Sequence, residues 1–178
     1  MTNTRRTLMI GAAALSLAAC VTPTVSTTFA TIQGYVAEAD ALVDKLLPLV
    51  QAVSPAEAAL LAPVVAKIDA AAAAFAALTS PPSGATDVQD IITWLDDALG
   101  VAAAALPQYA PEIGAAEVLL VLVGDFFGGL APASKVGLAL GRPSGLWDSA
   151  AASYRGASDK AAFAAGADAK VRAWLAAH

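Results

Sequence analysis

The chain has 178 residues, of which 47 are Ala and 6 % are aromatic, with a single Cys and a single His. That length suits one domain with a real core, and the alanine excess favours an all-α fold. A net charge of −5 argues against a nucleic-acid partner, which wants a basic face, and one Cys with one His cannot build a zinc cluster.

The chain opens on a basic head, Arg5 and Arg6, followed by an apolar stretch over residues 8–17 and the tetrapeptide Leu17-Ala18-Ala19-Cys20. This is the layout of a secretory signal. Its greasy middle is too short for a permanent span, which needs about 20 apolar residues. Leu17-Ala18-Ala19-Cys20 resembles the lipobox of bacterial lipoproteins. The resemblance covers 20 residues only. It implies that Cys20 receives diacylglycerol, that residues 1–19 are removed, and that the new amine is acylated. A plain signal peptide with a chance cysteine is the alternative. Cys20 has no partner for a disulfide within the chain, however, and lipidation gives it a role. The Arg5-Arg6 pair also resembles the twin-arginine signal, so general and twin-arginine export both remain open. Val21 and Thr22 follow the cysteine, with no aspartate of the inner-membrane retention type. By resemblance the address is the outer membrane, on its periplasmic side, with inner-membrane anchoring as the alternative.

Residues 20–28 read as a lipidated tether. Residues 29–131 then read as a four-helix bundle. The first helix, residues 28–52, belongs to a seam of Phe29, Ile32, Val36, Ala39, Val43, Leu46, Val50 and Val53 at alternating spacings of three and four. Pro48 predicts a kink in its last turn. Ser54-Pro55-Ala56-Glu57 predicts a capping box opening a second helix to Leu78, with a seam of Leu61, Val64, Ile68, Ala71, Phe75 and Leu78. After the breaker at residues 79–84, Thr86 to Gln89 predicts a second capping box. The third seam is Val88, Ile91, Leu95, Ala98, Ala102 and Leu106, ended by Pro107. Pro111-Glu112 opens the fourth helix, which holds the apolar run at residues 118–123 and reaches about Leu130. Glu117 and Asp125 bracket that run too closely for a membrane span, which makes it the central helix of a bundle. Residues 132–178 read as a Gly/Pro-rich connector and two C-terminal helices near 146–154 and 158–176, the last with Phe163, Ala167, Val171 and Trp174 on one face. The expected architecture is an up-down antiparallel bundle of about four helices with a C-terminal helical extension.

The residues offer little chemistry. His178 ends the chain, where a fixed catalytic orientation is hard to hold. Asp87 and Asp90, near Trp94, lie one turn apart and could share a hard cation, but acids in a first turn also complement the helix dipole. Asp96 and Asp97 are expected on a solvated face, as are Glu117 and Asp125. Gly124 and Gly128 form a small-xxx-small pair that permits close approach or starts a loop. Gly141-Arg142-Pro143-Ser144-Gly145 lacks nucleophile-elbow spacing and reads as a turn.

Charge is uneven: residues 20–134 carry 12 acidic and 2 basic side chains, and 135–178 carry 3 acidic and 6 basic. The basic tail segment could meet an acidic partner or headgroups, or lie on its own acidic body. The expectation is therefore a non-enzymatic, membrane-anchored envelope lipoprotein acting as scaffold, adaptor or interaction protein. It needs no cofactor beyond the lipid on Cys20, and its partners are the membrane and an envelope protein, with no nucleic acid. Alternatives are a bundle that binds a lipid or other apolar ligand, and a phage-encoded lipoprotein of lysis or superinfection exclusion.

Overall fold

The computed structural model describes residues 28–84, 86–132 and 146–178. Among them lie six helices: α1 (Phe29–Val53), α2 (Pro55–Ala76), α3 (Thr86–Ala105), α4 (Ala110–Phe126), α5 (Leu146–Gly156) and α6 (Lys160–Ala177). A single 3-10 turn, Pro107–Tyr109, links α3 to α4. No strand occurs among the described residues, and the helices pack on one another as an all-α bundle.

Local chemistry sets most helix ends. Thr28 is extended, and its Oγ1 accepts the Thr31 N–H at 3.2 Å, which satisfies one orphan donor of α1. Asp159 does the same for α6, accepting from the Ala162 N–H at 3.0 Å. The capping box expected at Ser54 does not form. One residue separates α1 from α2, so the Ser54 backbone serves both: its N–H donates to Val50 at 2.7 Å and its carbonyl accepts from Ala58 at 3.1 Å. At φ −143° and ψ 78° its hydroxyl makes no capping bond. Pro48 sits inside α1, and the helix continues past it to Val53. It is solvent-exposed.

α4 is the centre. Every residue from Ala115 to Gly124 is buried, and α4 packs on α1, α3, α5 and α6. A helix apolar all round has no solvent face to offer. The α1 seam is buried from Ile32 to Val50, with Leu42 added, while Phe29 is only partly buried and Val53 is 59 % exposed at the helix end. The α3 seam is buried in full. The α2 seam is rotated: Ala58, Val65 and Ala72 join Leu61, Ile68 and Phe75 inside, while Leu78 is 39 % exposed beyond the helix end. In α6 it is Ala164, not Phe163, that shares the buried face with Ala167, Val171 and Trp174.

The start of α1 meets the ends of α2 and α4. Gln33 Nε2 donates to the carbonyls of Phe75 (2.8 Å), Ala76 (3.2 Å) and Leu78 (3.0 Å), closing the C-terminus of α2. Phe29 stands edge-on to Phe75 at 5.4 Å and to Phe127 at 6.5 Å. α4 stops where Gly128 and Gly129 take φ of +91° and +88°, a left-handed region that glycine enters without strain. The Gly124 carbonyl accepts from both Gly129 (2.9 Å) and Leu130 (3.0 Å). The Gly124–Gly128 pair is thus a helix stop with close backbone return.

Candidate functional site

Small residues on three helices leave a groove of about 680 Å³ between α4, α5 and α6. Gly114 and Ala115 of α4, Ala150 of α5, and Gly166 and Ala167 of α6 hold the helices close without filling the space between them. Val118, Leu146 and Phe163 add apolar lining. Phe163 is 36 % exposed in this position, which explains why it left the buried face of α6. Ser149, Ser153 and Lys170 supply the polar groups. A mostly apolar cleft with a few polar groups suits a small amphiphile, and the volume lies within the usual range of about 300–1,000 Å³.

A smaller pocket of about 280 Å³ opens between the end of α2 and the start of α3, lined by Phe75, Leu78, Ile91 and Trp94 with Asp87 and Asp90. The two aspartates and Trp94, grouped from the sequence, therefore do share one pocket. Both aspartates are exposed. No group of three His, Cys, Asp or Glu residues able to hold a metal occurs among the described residues.

Three other acids depart from the sequence reading. Asp96 and Asp97, expected on a solvated face, are 0 % and 1 % exposed, and Glu117, expected outward, is 0 % exposed. α3 is buried on both sides of its central turns, and α4 has no outer side there. Each of these carboxylates has an interaction partner, as buried charge requires. Asp125 is exposed, and its Oδ1 accepts from Arg155 at 3.4 Å.

Within the described part of the basic C-terminal segment, α6 lies on the acidic body. Arg172 reaches Glu38 of α1 at 2.8 Å and Asp168 at 2.9 Å. Lys45 donates to the Leu175 carbonyl at 3.1 Å. His178 is held on this end of the bundle, stacked on Trp174 with ring centroids 4.3 Å apart and edge-on to Tyr109. The expected fraying of the terminus is countered by this aromatic packing.

Periodicity gave no sign of two perturbed carboxyls on α1. Burial pushes Glu38 up to about 7, aided by Asp168 and opposed by Arg172. Burial likewise pushes Asp40 up to about 7, with Asp44 and Asp69 adding like charge. The folded chain therefore binds more protons than the unfolded chain between the ordinary carboxyl range and about pH 7. Stability falls as pH rises through that window and levels off above it. Stability is expected to be greater at pH 5 than at pH 8 by on the order of 1 kcal/mol per group after solvent screening, which thermal melts would show as a higher Tm at pH 5. Asp40→Asn should raise the pH 8 value and shrink the difference. An unchanged pH dependence would contradict this.

The export residues Arg5, Arg6, Leu17, Ala18, Ala19 and Cys20 lie outside the described residues, as do residues Gly141 to Gly145, for which the sequence predicts a turn. One helix among the described residues, α2, is long and apolar enough to cross a membrane by length and composition. It carries Glu57, Lys67 and Asp69 and packs on α1 and α3, as a bundle helix does. Comparison with protein families, with curated proteins and with solved structures finds no match.

Proposed function

We propose that this chain is a membrane-anchored envelope lipoprotein whose helical bundle works by binding and not by catalysis. The observation that carries this reading is the ordered set Arg5-Arg6, apolar stretch and Leu17-Ala18-Ala19-Cys20. The lipid fixes the location: each buried methylene contributes about 0.8 kcal/mol, and two or more chains anchor stably where one does not. The outer membrane is the proposed address, with the bundle on its periplasmic side and an envelope protein as partner. Fractionation tests this. The wild-type chain is expected in the membrane pellet, and Cys20→Ala in the soluble exported fraction. Equal membrane retention of both would sink the anchor.

The groove between α4, α5 and α6 favours a second reading, in which the bundle carries a lipid-like ligand. An acyl chain would lie along the small-residue walls, with an anionic head near Lys170. At Gly166 an added Cβ meets nothing within 4 Å, so Gly166→Leu should fold and project into the groove. Binding of a fluorescent long-chain fatty acid is expected to weaken at least about tenfold in Gly166→Leu, a loss of about 1.4 kcal/mol. Lys170→Glu should weaken the acid but not the matching alcohol. Unaltered binding in Gly166→Leu would remove the groove from consideration.

A further inference from the structure

Five large apolar side chains among the described residues are well exposed: Val53, Leu60, Leu78, Phe126 and Phe163. Phe163 lines the groove, and Val53 and Leu60 lie around the α1–α2 turn. Leu78 and Phe126 lie at the other end, where α1 begins. The tie is direct: Gln33 of α1 holds the Leu78 carbonyl, and Phe126 packs on Phe127, which meets Phe29. Phe29 and Phe127 are themselves only partly buried. This end thus carries an aromatic and aliphatic cluster that the bundle does not cover.

Chain length decides what can cover it. Residues 21–28 separate Cys20 from α1, and eight residues reach at most about 28 Å when fully extended. The α1–α2 turn is a further ~37 Å away, the length of a 25-residue helix. A lipid on Cys20 therefore keeps the cluster at high effective concentration beside the bilayer. The charged groups flanking it are mainly acidic: Asp87 and Asp90 line the adjoining pocket, and Asp125 pairs with Arg155. Attraction to anionic headgroups would not drive docking. Burial of apolar surface would.

We propose that the bundle stands on the membrane by this end, with Leu78 and Phe126 seated at the boundary between zwitterionic headgroups and acyl chains. The proposal rests on the lipid-anchor reading of Cys20. Docking in this pose would leave the α1–α2 turn, with Val53 and Leu60, pointing away from the bilayer.

An acylated Cys20 leaves any second cysteine as the only free thiol, which makes a clean test. Full-length Phe126→Cys, Leu78→Cys and Val53→Cys variants are extracted from host membranes, and intact mass establishes acylation of each. The free thiol is labelled with an environment-sensitive fluorophore, and the protein is placed in phosphatidylethanolamine–phosphatidylcholine vesicles containing a lipid with a quencher just below its headgroup. Quenching of at least about twofold is expected at positions 126 and 78 and none at 53, with little change on adding salt. Equal quenching at both ends of an acylated chain would overturn the proposal and leave the anchor standing. A chain without acyl mass would overturn both.

Discussion

Leu119→Ala should cost about 2–5 kcal/mol of stability, the range for truncating a buried Leu where the surroundings cannot collapse. Leu119 is fully buried, and the helix that carries it is touched by four others. Helices enclose that turn, so the cavity has little means of closing. For a domain of this size each kcal/mol lowers Tm by about 2–4 °C, which predicts a drop of roughly 10 °C in a calorimetric scan. Leu60→Ala is the control, because Leu60 is 56 % exposed and its loss should fall within about 0.5 kcal/mol. Similar losses at the two positions would contradict the placement of α4 at the centre.

Gly124→Ala is the second large effect, although it adds only one methyl group. A Cβ there would run into the backbone carbonyl of Leu130 and touch the Trp147 ring at 3.4 Å. A backbone carbonyl cannot rotate away as a side chain can. The turn that returns through Gly128 and Gly129 would have to open, and Trp147 of α5 would move with it. Overpacking of this kind costs about 1–3 kcal/mol. Gly34→Ala is the matched control: nothing lies within 4 Å of its added Cβ, and it sits inside α1. Alanine is favoured over glycine there by about 0.5–1 kcal/mol. The two glycine substitutions should therefore shift Tm in opposite directions. A shift of the same sign in both would mean that the close return at Gly124 is not part of the folded chain in solution.

The helices were legible because apolar spacing and breakers agree. Val88, Ile91, Leu95, Ala98 and Ala102 fall on one side of α3 and are buried together, and Pro107 ends the helix where its missing N–H demands. Alanine blurred the rest. In the second half of α2 the residues beside the seam are nearly all Ala, so a rotation that exchanges Ala71 for Ala72 changes the pattern little. Phe163 and Ala164 traded places for a related reason: small neighbours on α4 and α5 opened a groove that no spacing rule on α6 could foresee.

The acids failed for a different reason. A polar residue beside a seam is assigned to solvent by default, and that default holds only where a helix has an outer side. α4 is apolar along the whole run from Val118 to Val123, which already meant burial all round and should have placed Glu117 inside with it. Asp96 and Asp97 gave no such sign, because the burial of both flanks of α3 depends on α1, α2 and α4 together. Glu38 and Asp40 lie beside the α1 seam, but their altered proton affinity comes first from burial under other helices, with Asp168 adding to it at Glu38, and Asp44 and Asp69 at Asp40. The groove likewise belongs to three helices at once. Residues distant in the chain make these sites, and a sequence shows them only after the fold is known.

The anchor is the claim on which the functional account turns. The intact mass of the chain extracted from host membranes, beside its Cys20→Ala variant, tests it most directly. The account predicts a mature chain that begins at Cys20 and carries acyl mass, with no such mass in the variant. An unmodified chain, or one that still begins at Met1, would contradict it.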